Sequence, residues 1–249
     1  MAQNLWRSLI ANGGVLVLPD VLTRHLAWFE TGPSHVGVQT RLALEEARRG
    51  TPEAARALFE RRGPEVSAGN GSVMYCAPLG VARPRDPERL FAEAPALSRL
   101  THRDERCATA CLAVTLAVAA LVRGEDPPHA VTGAVGAVAG REGADELEHL
   151  VDEAGRSRAI DGPDRGFALF TGGIALQVAG EGLGFEEGLR HVVGLGGDTD
   201  TNAAVAGAVL GAAHGLPGSP TGWLDRLQDR EGIESEAEGL LVIAERGSR

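Results

Sequence analysis

The sequence contains no lysine: all 24 basic residues of the 249-residue chain are arginines, against 34 acidic residues. We attribute the missing lysine to coding bias rather than to a mechanism. The formal charge of −10 argues against a nucleic-acid partner, which needs a basic patch to bind phosphates. The same charge is compatible with a soluble protein and mildly favours binding of divalent cations.

Aromatic residues are also scarce, at 4% of the chain, whereas there are 34 glycines and a large number of alanines. Core volume must therefore come from many small side chains, which favours helices that pack with their backbones close together. The length allows one substantial core, and nothing in the composition requires a second domain. We therefore treat residues 1–249 as one domain.

Only three cysteines are present, and Cys107 and Cys111 are four residues apart on one expected helix. A zinc site needs more soft ligands at suitable spacing, so buried thiols and a reducing cytoplasm are predicted. No secretory signal opens the chain. The longest uncharged apolar stretch, from Cys107 to Val122, is shorter than the roughly 20 residues that span a bilayer. It predicts a buried central helix and no membrane span.

Strand patterns are nearly absent, whereas helical periodicity recurs. Leu22, Leu26 and Phe29 repeat at helical spacing, as do Phe185, Leu189, Val192 and Val193, so both sets predict amphipathic helices. The run from Val15 to Leu18 resembles a strand but is too short and isolated to count as one. A charged segment from Glu234 to Ala244 predicts a peripheral helix, followed by a frayed tail at residues 247–249.

Helix boundaries are marked by repeated signals. A capping oxygen precedes a proline at Thr51-Pro52-Glu53, Asp86-Pro87, Asp126-Pro127 and Ser219-Pro220. Glycines stand where helices are expected to end, at Gly50, Gly63, Gly124 and Gly215. The pattern predicts an all-α protein of about ten helices joined by short loops.

The segment Gly196-Gly197-Asp198-Thr199-Asp200-Thr201-Asn202 places two carboxylates and a hydroxyl in one short turn before a run of small residues. Asp and Thr are favoured helix caps, so capping alone is one explanation. However, one cap needs one oxygen, whereas hard divalent cations require several oxygen ligands at once. From the spacing alone, metal binding and capping are equally supported.

A second loop, Ser67-Ala68-Gly69-Asn70-Gly71-Ser72, offers backbone N–H, amide and hydroxyl groups suited to a phosphate or a sugar. Taken alone, an ordinary turn explains this loop better than a ligand site does. Thr101-His102 precedes the expected central helix, and a lone histidine is more often structural than catalytic. His35, His191 and His214 also have no Ser or Cys partner that the sequence identifies.

Together these motifs resemble the ADP-ribosylglycohydrolase family. The acidic turn resembles the family's C-terminal signature, the loop at 67–72 its central ligand loop, and Thr101-His102 its Thr-His pair. The approach to the central loop also resembles the family, in Trp28, Thr31-Gly32-Pro33, Val36-Gly37 and Gln39-Thr40-Arg41. The three ordered motifs are more specific than any one alone, and the similarity extends from near residue 1 to about Trp223.

The resemblance implies a compact orthogonal multi-helix bundle with two magnesium or manganese ions in a cleft. It implies that the protein is a hydrolase in which water displaces a side chain or other group from ADP-ribose. The partner would then be an ADP-ribosylated protein or a small ADP-ribosyl compound. The implied metal ligands are Asp198, Asp200 and Thr201, and the implied substrate-binding residues are Ser67, Gly69, Asn70, Gly71, Ser72, His102, Gly197 and Thr199.

The chain also departs from the family pattern. Members carry a Thr-Asp-Asp-Thr string two residues ahead of a Met that corresponds to Met1. The sequence therefore lacks the N-terminal part of the site that the resemblance implies, either as a truncated reading of a complete enzyme or as a genuine short form. His35 stands where many relatives have an Asp that can act as a base, and Tyr75 stands where Arg usually follows the central Met. No residue is thereby assigned as the catalytic acid or base.

These departures leave three hypotheses. The protein is an ADP-ribosyl hydrolase, or a catalytically impaired protein of the same fold that binds ADP-ribose or a nucleotide, or a helical scaffold whose two loops are only a cap and a turn. A missing first helix would also expose apolar surface. A second subunit is one way to cover it, which makes a homodimer a further expectation.

Overall fold

The chain folds into helices, as predicted. The computed structural model describes residues 1–50, 53–63, 67–153 and 166–246, and within these ranges it contains fourteen α-helices and no strand. The helices are α1 (Ala2–Ala11), α2 (Leu18–Glu30), α3 (Val38–Arg48), α4 (Ala54–Arg62), α5 (Val73–Ala82), α6 (Pro87–Ser98), α7 (Glu105–Val122), α8 (Pro127–Ala137), α9 (Ala144–Glu153), α10 (Ala168–Gly180), α11 (Phe185–Gly194), α12 (Thr199–His214), α13 (Thr221–Leu224) and α14 (Arg230–Arg246).

Helix α7 is the centre of the fold. It packs against α5, α6, α8, α10 and α12, and every residue from 107 to 121 is buried. By length and composition α7 could cross a membrane, but 83% of it is buried inside the protein, as is typical of a core helix. The prediction of a buried central helix from Cys107 to Val122 is therefore confirmed.

Small residues allow the central helices to approach closely. A Cβ atom added to Gly80 of α5 would lie 2.5 Å from the backbone oxygen of Thr115 in α7. A Cβ atom on Gly172 of α10 would lie 3.3 Å from the Cβ atom of Ala110, also in α7. The abundance of glycine and alanine thus sets the short distances between these helices, since larger side chains would force them apart.

The predicted helix starts agree with the structure to different degrees. Asp86 accepts a hydrogen bond from the backbone N–H of Arg89 at the start of α6, as a helix cap should. Helix α8 starts at Pro127 as predicted, but Asp126 makes no capping bond. The start predicted at Ser219-Pro220 lies one residue later than expected, since Pro220 is the residue before α13. Thr51 and Pro52 lie outside the described residues.

Two predicted apolar faces are only partly correct. In α2, the buried residues are Val21 and His25, whereas Leu22, Leu26 and Phe29 are half-buried. In α11, Val192 is buried but Val193 is 53% exposed. Periodicity identified both helices, but which side of each helix is buried depends on the neighbouring helices that pack against it. The run at Val15 to Leu18 forms no strand, and Leu18 instead begins α2.

The C-terminal helix lies at the periphery, as predicted, and it packs against α1 and α5. Glu236 of α14 accepts hydrogen bonds from the indole of Trp6 at 2.5 Å and from Arg7 at 2.6 Å. Within α14, Leu240 and Ile243 are buried, whereas Leu241 and Val242 are exposed. The expected tail at residues 247–249 lies outside the described residues.

Candidate functional site

The two loops singled out in the sequence meet in the structure. The side-chain amide of Asn70 donates a hydrogen bond to Asp198 Oδ2 at 2.8 Å and another to the Thr171 hydroxyl at 3.0 Å. Thr171 in turn donates to the side-chain oxygen of Asn202 at 2.8 Å. One hydrogen-bond network therefore joins the loop at 67–72 to α10 and to the start of α12.

The acidic turn immediately precedes α12. Gly196 and Gly197 both adopt positive φ angles, at 82° and 69°, which glycine tolerates and other residues rarely do. Asp198 occupies the N-cap position, but its side chain makes no capping bond. Thr199 and Asp200 follow in the first turn of the helix. The sharp backbone turn thus brings both carboxylates to one end of the helix.

The two carboxylates interact directly. The pKa of Asp200 is lowered, first by a hydrogen bond with the Asp198 carboxyl and then by the backbone N–H groups of Thr201 and of Asp200 itself. Asp200 is exposed, whereas Thr201 is only 7% exposed. The capping hypothesis therefore applies in part to Asp200, whose oxygens meet backbone N–H groups, but not to Asp198.

The glycine-rich loop is held by a segment that the sequence did not indicate. The backbone N–H of Asn70 donates to the oxygen of Gly166, and the N–H of Ala168 donates to the oxygen of Ala68, both at 2.9 Å. These bonds form an isolated antiparallel bridge between Gly69 and Phe167. Residues 69 and 167 are too distant in sequence for any local pattern to predict this pairing.

His102 lies beneath the two glycines of this loop. A Cβ atom on Gly71 would lie 2.8 Å from His102 Cε1 and 2.6 Å from Thr40 Oγ1. A Cβ atom on Gly69 would lie 3.4 Å from His102 Nε2. The loop can rest on the imidazole only because residue 71 has no side chain. His102 is thus close to the predicted ligand loop, although it is only 1% exposed.

A buried chain of hydrogen bonds supports this imidazole. His102 Nδ1 is 2.8 Å from the Thr101 hydroxyl, which is 2.7 Å from the hydroxyl of Tyr75. Burial lowers the pKa of His102 to about 4, so the ring is neutral at pH 7. Burial also raises the pKa of Tyr75, whose ring is fully enclosed. Tyr75, which departs from the family pattern, is therefore a buried residue that supports His102 through the Thr101 hydroxyl.

The serines that flank the loop face the protein interior. Ser67 donates to the backbone oxygen of Gly63, and the hydroxyl of Ser72 accepts from Ser98 at 3.0 Å. The thiol of Cys111 lies 3.4 Å from the same Ser72 oxygen, and Cys107 donates to the oxygen of Gly69. Cys76, Cys107 and Cys111 are all free and buried, which confirms the prediction of buried thiols.

The segment before α3 approaches the acidic turn from another side. His35 is exposed and close enough to Asp200 for its charge to contribute to the lowered pKa of that carboxyl. His35 also lines a cavity of about 530 Å³, together with Glu30, Arg41 and Arg48. The cavity thus gives room for a ligand beside His35, and His191 and His214 are not among the residues that line it.

The oxygen donors at the acidic turn are few. Within the described ranges, no group of three or more His, Cys, Asp or Glu side chains is arranged to hold a metal ion. The turn itself offers the Asp198 and Asp200 carboxylates and the Thr201 hydroxyl. This set suits one hard cation that takes its remaining oxygens from a ligand or from solvent, which is the usual coordination of Mg²⁺ in proteins.

The fold is all-helical in the described residues, and its acidic turn is hydrogen-bonded to its glycine-rich loop. These two features define the class of protein. A solved chain described as an ADP-ribosylglycohydrolase-related protein complex superposes with a TM-score of 0.75 and 33% sequence identity. The match covers 98% of this chain and 79% of that chain. The family model for ADP-ribosylglycohydrolase matches residues 1–249. The chain belongs to the ADP-ribosylglycohydrolase family.

Two relatives have names that describe what they act on. The ADP-ribosyl-[dinitrogen reductase] glycohydrolase of Rhodospirillum rubrum is 29% identical over 98% of this chain and 78% of its own length. The ADP-ribosylarginine hydrolase Tri1 of Serratia proteamaculans is 27% identical over 84% of this chain. The chain spans only 55% of the length of the latter relative. Both names describe hydrolases of ADP-ribosyl groups.

Proposed function

We propose that this protein is a hydrolase that releases ADP-ribose from a modified protein side chain, with arginine as the first candidate. The single observation that carries the proposal is the hydrogen bond between Asn70 and Asp198, which joins the two loops of the family signature. Family membership and the names of two relatives support the same activity. The arginine linkage is suggested by the relative from Serratia proteamaculans.

The proposal includes one Mg²⁺ or Mn²⁺ ion held by Asp198, Asp200 and Thr201. When the Asp198 and Asp200 carboxylates are both ionised they repel each other, and a cation between them removes that repulsion. Asp198 Oδ2 already accepts from Asn70, which fixes the orientation of the carboxylate. The second ion implied by the family resemblance has no further acidic cluster to hold it in the part of the chain that the structure describes.

The remaining residues would orient the ligand. When bound, the cation would supply positive charge that holds ribose hydroxyls and stabilises charge formed during hydrolysis. The backbone around Gly69 and Gly71 would lie against the phosphates or the ribose, because glycine leaves the N–H groups accessible. His35 is the candidate to accept a proton from the attacking water, since it is exposed and near Asp200.

The test is release of ADP-ribose from ADP-ribosyl-arginine and ADP-ribosyl-serine peptides, with Mg²⁺ and with a chelator. We expect release from the arginine peptide that depends on the metal and is lost in Asp200→Asn. Asp145→Asn is the matched control, because Asp145 is an exposed acid in the first turn of α9. Failure of the wild-type protein to release ADP-ribose from either peptide would reject the enzyme proposal for these linkages.

A second function is favoured by one observation, the small number of carboxylates at the acidic turn. In that case the protein binds ADP-ribose or a nucleotide without cleaving a bond. Calorimetry separates the two functions: binding of ADP-ribose that is equally strong with and without Mg²⁺, together with no release from either peptide, supports the binding protein. Absence of ADP-ribose binding under both conditions, together with no release from either peptide, would exclude both functions.

A further inference from the structure

Gln39 is a buried polar residue whose side chain has no partner. It lies in the first turn of α3 and is only 7% exposed. Its side-chain nitrogen and oxygen are both fully buried, and neither has a hydrogen-bond partner among the residues that the structure describes. Burying an unsatisfied donor and acceptor costs free energy, because both groups lose their hydrogen bonds to water. Such a side chain needs an explanation.

Gln39 lies next to the glycine-rich loop, which would hold the proposed ligand. Its Cβ atom is 3.8 Å from the position that a Cβ atom would take on Gly69, in the glycine-rich loop. The next residue, Thr40, is in contact with Gly71 in the same way. His35, four residues before Gln39, is close enough to Asp200 to help lower the pKa of that carboxyl. The start of α3 therefore runs from the acidic turn to the glycine-rich loop.

The chemistry of the carboxamide restricts the ligand group that could satisfy it. A carboxamide donates through Nε2 and accepts through Oε1. A phosphate has only acceptors at neutral pH, so it would leave Oε1 without a partner. A pair of neighbouring ribose hydroxyls both donates and accepts, so it would satisfy the two atoms together.

We infer that Gln39 is a positioning residue that binds the vicinal hydroxyls of a ribose in the ADP-ribosyl ligand. This inference rests on the proposed function, because it assumes that the ligand lies between the acidic turn and the loop at 67–72. The ribose is either the one next to the leaving group or the one attached to adenine. Both carry the same pair of hydroxyls.

The variant Gln39→Leu tests the inference, since leucine has a similar volume but neither donates nor accepts. The full-length protein is titrated with ADP-ribose in a calorimeter, and its thermal unfolding is measured without ligand. We expect ADP-ribose affinity to fall roughly 10- to 100-fold, the loss of about two hydrogen bonds. We also expect the unfolding temperature of the ligand-free protein to rise by about 2–4 °C. An affinity loss with a higher unfolding temperature is not expected of a merely structural glutamine.

Gln228→Leu is the control, because Gln228 is exposed and outside the helices. We expect it to change neither affinity nor unfolding temperature. Gln39→Met, which also lacks a carboxamide, provides a second variant should the leucine variant fail to fold. Unchanged ADP-ribose affinity in both Gln39 variants would overturn the inference and leave the proposed function intact. A lower unfolding temperature in both Gln39 variants would also overturn it, because it would show that the amide is satisfied inside the protein.

Binding of ligands other than ADP-ribose to Gln39→Leu shows which of the two riboses Gln39 contacts. Unchanged affinity for ADP in Gln39→Leu would place the contact on the ribose next to the leaving group, which ADP lacks. Weaker ADP binding with unchanged 2′-deoxy-ADP binding would place it on the adenosine ribose. An equal loss for 2′-deoxy-ADP or for pyrophosphate would move the contact to the base or the phosphates and overturn the inference. If the wild-type protein neither releases ADP-ribose from the peptides nor binds it, the proposed function fails together with the inference.

Discussion

Asn70 Nδ2 donates a hydrogen bond to Asp198 Oδ2 at 2.8 Å, although the two residues are 128 positions apart in the chain. Each residue belongs to a motif that is ambiguous by itself, since a glycine-rich turn and a helix cap are both common. The contact makes them one site. It also fixes one oxygen of Asp198, so that the orientation of this carboxylate depends on the glycine-rich loop.

Replacing Asn70 with alanine should separate the two loops. We expect a loss of about 1–3 kcal/mol in the free energy of unfolding, because Asp198 and Thr171 each lose a hydrogen bond. The stabilising effect of added Mg²⁺ should also fall. Thr171→Val is the comparison: it removes the bonds of Thr171 to Asn70 and to Asn202 but leaves Asn70 bonded to Asp198. Urea unfolding with and without Mg²⁺ measures both effects, and an unchanged Mg²⁺ effect in Asn70→Ala would show that Asn70 does not orient the carboxylate.

Gly71→Ala should destabilise the protein, because the added Cβ atom would lie 2.6 Å from Thr40 Oγ1 and 2.8 Å from His102 Cε1. We expect a loss of about 1–3 kcal/mol, the usual cost of overpacking. Gly133→Ala is a control of opposite sign. Gly133 lies within α8 and no atom would contact the added methyl, so helix propensity predicts a gain of about 0.5–1 kcal/mol. Chemical denaturation of the two variants checks both signs, and equal effects would contradict the proposed contact with His102.

Magnesium should stabilise the folded protein if the acidic turn binds it. A cation at 100 times its dissociation constant adds about 2.7 kcal/mol, which raises the unfolding temperature of a chain of this size by roughly 5–10 °C. Asp200→Asn should reduce this rise, whereas Asp145→Asn on α9 should retain it. Thermal unfolding across a Mg²⁺ titration is the measurement. A turn that only caps α12 would give the same unfolding temperature at every Mg²⁺ concentration.

Acid should destabilise the protein through its two buried histidines. Burial lowers the pKa of His25 to about 3 and that of His102 to about 4, from an ordinary 6.5. Below pH 6.5 the unfolded chain therefore binds protons that the folded chain does not. Stability is fully present above pH 6.5 and falls as the pH drops towards 4, by up to about 1.4 kcal/mol per pH unit for each histidine.

The check is urea unfolding between pH 7 and pH 5 for the wild-type protein and for His25→Phe. His25 packs edge-on against Tyr75 at 5.0 Å between ring centroids, so an aromatic replacement suits the site. We expect the variant to lose less stability than the wild type over this range. His129→Gln is the control, since the His129 side chain is 87% exposed. If His25→Phe and wild type lose the same stability, the buried imidazole of His25 does not titrate as described.

Local patterns in the sequence determined the helices and the chemistry of the two loops. The apolar run at 107–122 predicted the central helix, because a long uncharged apolar segment is stable only when it is buried away from water. The prolines at 87 and 127 marked helix starts, and the glycine pair at 196–197 marked the turn that brings Asp198 and Asp200 together. Each of these depends on residues within a few positions of one another, where backbone geometry and capping act.

Tertiary packing alone decided how these parts combine. The bond between Asn70 and Asp198, the pairing of Gly69 with Phe167 and the place of His102 beneath Gly71 all join distant segments. The buried face of α2 differs from the face that periodicity predicted, because neighbouring helices cover Val21 and His25. Nor could periodicity show that Gln39 is buried without a partner. These features depend on how side chains fill the space between helices, and a local pattern of residue types does not encode that arrangement.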